Sequence, residues 1–307
     1  MPIISVAARG LDSAVNSVGM SPGFFCRRAN FESAIPKLLL LLILGGTGEL
    51  AAQTQDQGTS GTVSPTPAGG QNREDIVAVP DRPTFSTTSE TVRKGVFEIE
   101  YGFELADGHQ NINGLLKLGL LKNFEIRFAN IPVTRDDGIA GFGDSGAGFK
   151  FRFLEEKRFV PAFSLLYTLT IPTATADLGI GEAGHTVGLL LGKDIGKHHL
   201  DFNEVVQWLP RPASGGFEHN YFTAIAYSHP IRGKLGFSEE VAGFSHTETT
   251  RAALTILQTL NYGISPRFVL DSGFYIAAMG DFPRATFFAG MTYAVGDLYR
   301  CLRHTNR

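Results

Sequence analysis

The chain has 307 residues, with 36 Gly and 24 Phe against 4 Met and a single Trp, and 27 Lys and Arg set against 30 Asp and Glu. A net charge of −3 supplies no basic face for nucleic acid. A mean hydropathy near zero is too low for a bundle of membrane helices, and two cysteines, Cys26 and Cys301, offer no disulfide framework.

In chain order, Lys37 precedes the apolar run Leu38 to Leu44, and Gly45, Gly46, Gly48, Ala51 and Ala52 follow it. A positive residue, a short apolar stretch and small residues make a secretory signal. The run is far shorter than the roughly 20 residues that span a bilayer as a helix. Residues 1–52 are read as a signal peptide with a long leading region, Met20 being an alternative start. Export through the periplasm follows. Gln, Thr, Ser, Gly and Pro dominate the next stretch, which lacks the apolar residues to bury against chain entropy. Residues 53–92 therefore read as a periplasmic linker, the alternative being a short plug reaching into a barrel mouth from Ile76, Val77 and Val79.

From Lys94 the dominant period is two. Phe97, Ile99, Tyr101, Phe103 and Leu105 alternate with Glu98, Glu100, Gly102 and Glu104. A strand with one apolar and one wet face gives that separation, whereas a helix would scatter both sets. The pattern returns at Phe124, Ile126 and Phe128, at Ala147 to Phe153, and at Phe163 to Ile171. It appears again at Phe268 to Ile276 and at Phe287 to Val295. Weaker segments lie near 112–121, 184–192, 199–209, 220–228, 235–244 and 252–262. About twelve strands result, an even number, and Glu204 and Glu239 break the outward apolar parity as though at bulges or strand ends. Short links such as 121–123, 155–158 and 264–266 alternate with longer ones at 132–141 and 173–183. These features specify an all-β, antiparallel, up-and-down transmembrane β-barrel over residues 93–296, with short periplasmic turns and longer external loops. Residues 297–307 form a C-terminal tail. A soluble secreted β-sandwich is the rival fold, but its outer face would carry many Lys and Glu rather than Gly, Ala and Thr.

Asp81-Arg82-Pro83-Thr84-Phe85-Ser86, followed by Glu90-Thr91-Val92 and the run Lys94 to Gly102, resembles the opening of a bacterial family, the meta-pathway phenol-degradation family of outer-membrane transporters. The resemblance continues through Leu118-Gly119-Leu120, Phe124 to Arg127, Gly141-Phe142-Gly143-Asp144, Gly148 to Arg152 and Leu169 to Thr173. It ends on Phe287 to Tyr293, so that it covers nearly all of 81–295. It implies an outer-membrane barrel associated with uptake of hydrocarbon or aromatic compounds, and it carries no catalytic residues. One departure is the continuation through Asp297–Arg307, beyond the aromatic strand on which such barrels stop.

Three motifs suggest chemistry and fit structure better. Gly143-Asp144-Ser145-Gly146 looks like a serine-protease nucleophile segment, but Ser145 falls at the entry to an alternating strand, and no base is specified. Gly141 to Gly146 and Gly179 to Gly184 both match G-x-G-x-x-G, yet each leads into a strand where a dinucleotide site needs a helix. His198-His199 would place its two rings on opposite faces of a strand, and no cysteine completes a zinc site nearby. No catalytic residue, metal or cofactor is expected.

The wet-face charges are Glu98, Glu100, Glu104, Glu125, Arg127, Lys150, Arg152, Arg267 and Asp271, all predicted to line the lumen. Unpaired burial would cost several kcal/mol each, so they pair or face water. They form either a salt-bridge network that plugs the barrel or a charged constriction that orients solutes. The reading is an outer-membrane barrel for passive uptake of small molecules, hydrophobic or aromatic ones by resemblance alone. A structural or enzymatic barrel with a filled lumen is the alternative. Its partners are outer-membrane lipid, a small-molecule solute and the barrel-assembly machinery, with no nucleic acid. The oligomeric state is open.

Overall fold

A computed structural model describes residues 76–176, 178–211, 215–245, 252–280 and 284–299. The signal segment, the first part of the linker and the tail beyond Tyr299 lie outside the described residues. The first strands are β1 (Val96–Ala106), β2 (His109–Leu121), β3 (Phe124–Asp136), β4 (Ile139–Gly141), β5 (Ser145–Leu154) and β6 (Ala162–Ile171). They are followed by β7 (Gly184–Ile195), β8 (His198–Pro210), β9 (Phe217–Arg232) and β10 (Leu235–Phe244). The last three are β11 (Ala253–Ser265), β12 (Phe268–Met279) and β13 (Ala285–Asp297).

Each wall strand pairs antiparallel with its sequence neighbours, β13 returns to pair with β1, and β2 also pairs with β3. The sheet is therefore closed. β4 pairs only with the end of β3, so twelve of the described strands form the wall. A single closed sheet excludes the sandwich. Closure also removes the free edges that an open sheet would expose.

Alternation along each strand sorts the side chains by face. Phe103, Phe128, Phe153 and Phe287 on the outside are 42–60% exposed, while Glu98, Glu100, Glu125 and Lys150 on the inside are 0% exposed. In water this arrangement would be upside down. It is stable where the outer surroundings are hydrocarbon, because the closed ladder pairs the strand backbones and the large side chains that face out are mostly apolar. Outside, Tyr101 covers the bare backbone of Gly114, its cross-strand partner.

The connections differ at the two ends. Lys122-Asn123, Gly196-Lys197, Gly233-Lys234 and Pro266-Arg267 make two-residue turns at the end where β1 begins and β13 finishes. Asn123 there has a positive φ of 61°, the left-handed conformation that tight hairpins require. The intervals between β6 and β7, β8 and β9, and β10 and β11 are longer and fall at the opposite end, which also carries the two-residue turn Asp107-Gly108, while β5 and β6 are joined by residues 155–161 at the first end.

Two sequence expectations change. The stretch 132–141 is not an extended loop, because β3 runs on to Asp136, turns at Asp137-Gly138 and pairs back as β4. Pro132 is accommodated at a register shift against β2, where the ladder needs no N–H from it. Glu204 and Glu239 do not themselves sit at a bulge or strand end, although β10 has a register shift against β9 at Leu235/Gly236. The register is continuous through both, and each carboxylate takes a hydrogen bond on the outer face, from Thr223 Oγ1 at 2.6 Å and from Gln258 Nε2 at 3.0 Å.

Candidate functional site

Residues 76–92 run inside the barrel as a strap. Pro80 and Pro83 leave this segment poor in donors for a ladder, and the wall's side chains take up many of the N–H groups that remain, while Ala78 N donates to Pro266 O. Glu98 accepts from Val79 N at 2.8 Å, and Glu100 accepts from Asp81 N and Arg82 N at 3.0 and 3.1 Å. Glu240 of β10 accepts from Phe85 N and Ser86 N at 2.9 and 2.8 Å. Asn203 of β8 bonds both the N–H and the carbonyl of Thr87. Ser164 of β6 donates to Ser89 O at 2.5 Å, and Glu125 of β3 accepts from Val92 N at 2.6 Å. The strap thus touches most of the inner wall before leaving into β1. Buried backbone polar groups must find partners, and here charged wall residues provide them.

At the centre lies Asp81. Its carboxylate meets Arg127 Nη1 at 2.7 Å and the Nζ atoms of Lys117 and Lys150 at 3.2 Å each. Those cations stand on β3, β2 and β5, and Lys117 and Arg127 are register partners. Burial alone would push the Asp81 carboxyl up, but Arg127, Lys117 and Lys150 outweigh it and hold it well below the usual carboxylate range. Behind them, Glu98 and Glu100 approach Lys117 Nζ at 2.7 and 2.5 Å, and Glu125 approaches Arg127 at 3.0 Å and Lys150 at 3.5 Å.

Arg82 points the other way. Its guanidinium reaches Asp271 of β12 at 3.6 Å and bonds Asn113 Oδ1, and Asn113 in turn donates to Glu104 at 2.8 Å. A Cβ on Gly102 would lie 2.1 Å from Arg82 Nη2, and one on Gly290 would lie 2.6 Å from Arg82 Nε. Two wet-face glycines therefore make the bed for one arginine. Phe85 fills an aromatic cage, its ring centroid 5.0 Å from Tyr275, 5.6 Å from Phe244 and 6.4 Å from Phe222 in edge-on geometries. Ile76, Ala78 and Val92 pack with Val96, Val269 and Ala294 in a second apolar cluster.

Of the charges picked out by parity, Glu98, Glu100, Glu125, Arg127 and Lys150 meet around Asp81. Glu104 joins through Asn113, Asp271 pairs with Arg82, and Arg152 pairs with Glu90 of the strap. Arg267 is a correction. It lies exposed in the β11–β12 turn, because β12 starts one residue later, at Phe268. Parity missed Lys117, hidden in a leucine-rich strand, although it shares the phase of Asn111, Asn113 and Gly119. It also missed Asp81, Arg82, Asn203 and Glu240. Glu240 had a usable signal, since adjacent glutamates on a strand must face opposite ways.

Two cavities lie against the inner wall, the larger of them beside the strap. One of about 40 Å³ is lined by Arg127, Gly148, Thr168, Thr170, Thr186 and Gln207 among others. The other, about 100 Å³, has Arg82, Thr84, Glu90, His199, Asp201 and Asn261 in its lining. The chemical motifs resolve as scaffolding. Ser145 Oγ accepts from Thr173 Oγ1 at 2.9 Å, and Asp144 holds the long β6–β7 link through Ala174 N and Ile180 N. Both glycine strings lead into strands, β5 and β7. His198 bonds Tyr227 outside, whereas His199 sits between Asp194 and Asp201.

No family model and no curated protein matches the sequence. Among solved structures, the chain is similar to the NanC porin, with a TM-score of 0.50 at 8% identity, over 64% of this chain and 98% of that one. It is likewise similar to an outer membrane channel from Pseudomonas putida F1, with a TM-score of 0.51 at 12% identity, over 73% of this chain and 99% of that one. The fold is that of an outer-membrane β-barrel. At such identities the likeness extends to fold and no further, and the resemblance to the meta-pathway family rests on the motifs that carry it.

Proposed function

We propose that this chain is an outer-membrane channel for passive passage of small molecules, aromatic ones among them, with residues 76–92 closing the lumen until they move. One observation carries the reading. The wall is joined by continuous backbone ladders, whereas between Val79 and Val92 the strap is held by wall side chains. Moving it breaks no ladder bond, and a cavity of about 100 Å³ lies beside it. The aromatic preference is supported by the cage around Phe85, whose wall members Phe222, Phe244 and Tyr275 offer ring edges to any aromatic group that replaces it. It is also the preference that the family resemblance implies. Location in the outer membrane is supported by the apolar exterior and by the signal-like start of the chain.

Planar-bilayer recording tests this with the full chain and a Phe85→Ala variant. The full chain should conduct little and the variant clearly more, since the aromatic side chain that packs the strap against β9, β10 and β12 is gone. Silence from both, in barrels shown to be inserted, favours the filled structural barrel instead.

A further inference from the structure

A carboxylate held by three cations is an anion site with its ligand in place. Lys117, Arg127 and Lys150 belong to β2, β3 and β5, three neighbouring wall strands whose ladders fix them relative to one another. Asp81 belongs to the strap and to no strand. All three cationic side chains are at most 4% exposed, and Asp81 is 0% exposed. Glu98, Glu100 and Glu125 contact the cations from the wall and stay with them whatever the strap does. Asp81 is the exchangeable partner. If the strap leaves, three buried donors lose their shared acceptor, and such groups bind a replacement anion strongly where water is scarce. A cavity of about 40 Å³ lies against Arg127. Threonine hydroxyls at 168, 170 and 186 and the Gln207 amide line it, and Gly148 keeps one wall free of side chains.

We propose that Lys117, Arg127 and Lys150 form a carboxylate-binding site of the channel wall, that Asp81 occupies it as an internal stand-in, and that small carboxylate-bearing solutes compete for it and so release the strap. This deepens the channel reading and rests on it, because a solute must reach the lumen to compete. The bond change is an exchange of ion pairs. Asp81 gives up its contacts to the three cations, the solute carboxylate takes them, and no covalent step is involved.

The test is benzoate binding to the folded, detergent-extracted full chain by calorimetry, with benzyl alcohol as the uncharged control. Asp81→Asn should bind benzoate at least about tenfold more tightly than the parent, and benzyl alcohol should show no such gain. Adding Arg127→Gln to that variant should abolish the gain. Where Asp81→Asn does not assemble, Arg82→Gln unpins the strap from Asp271 and Asn113 without altering the three cations, and the same gain is expected. Equal benzoate affinity in parent and variant, or an equal gain for benzyl alcohol, overturns the carboxylate site. Liposome swelling with arabinose keeps the two readings apart. Arabinose entry without benzoate preference sinks the site and leaves the channel, while benzoate binding without any solute entry sinks the channel and leaves a binding site.

Discussion

Gly102 of β1 and Gly290 of β13 face each other in register, and the guanidinium of Arg82 lies in the space that two side chains would fill. Gly102→Ala should therefore push Arg82 away from Asp271 and Asn113, destabilising the folded barrel by about 1–3 kcal/mol, as overpacking does. The double variant Gly102→Ala with Arg82→Gln should lose less than the sum of the single losses, since removing the arginine relieves its part of the clash and leaves only the 2.7 Å approach to Ala289 O. Urea unfolding of the four proteins measures this, and strict additivity would dissociate the glycine pair from the arginine.

Arg127→Gln takes away the 2.7 Å contact to Asp81 and the 3.0 Å contact to Glu125, leaving buried carboxylates short of a cation. Breaking one side of a buried pair costs about 3–5 kcal/mol. The expected readout is a lower unfolding midpoint with little change in ion selectivity, since in the strapped lumen these groups face each other and not a water-filled pore. A shift in reversal potential with unchanged stability would place the cluster in open water.

Protonation of Asp81 should loosen the strap, and the sign follows from the direction of its shift. Burial would raise its carboxyl, but Arg127 of β3, Lys117 of β2 and Lys150 of β5 hold it below the ordinary range, and Glu98, Glu100 and Glu125 face the same cations from the wall. A lowered value in the folded state means that the stabilisation is complete above the ordinary carboxylate pKa of about 3.9 and is lost as the pH falls through the folded value. The Asp81-dependent part of protease cleavage within 76–92, read as the difference between the parent and Asp81→Asn, should change only in strong acid. In Asp81→Asn the strap should be open to cleavage at neutral pH already, with no Asp81-dependent rise in acid.

The lipid-facing assignment predicts a contrast between faces. Leu165→Arg, outward in the middle of β6, should destabilise the inserted barrel by about 2–4 kcal/mol if it lies near the bilayer midplane. Thr168→Ser, inward against a cavity, should cost much less. Gly148 is no neutral control despite its inward phase, for its Cβ would lie 1.9 Å from the carbonyl oxygen of Tyr167. Equal losses from Leu165→Arg and Thr168→Ser in a refolding assay into lipid vesicles would contradict the facing.

The sequence by itself determined what depends on neighbours along the chain. Phe97 to Leu105 against Glu98 to Glu104 set the strand and its two faces, because side chains two residues apart point the same way wherever the strand ends up. The same period located all twelve wall strands, and it put Glu98, Glu100, Arg127 and Lys150 on one phase. Only the tertiary structure decided what meets across the lumen. Asp81 lies 36 residues from Lys117 and 69 from Lys150, and Phe85 lies 155 from Glu240, separations over which no periodicity operates. The glycines on the wet face were visible as small residues, yet their purpose appears only when Arg82 is laid across Gly102 and Gly290. Closure of the barrel brings β1 beside β13, and with it come a bed for that arginine and three cations around one carboxylate.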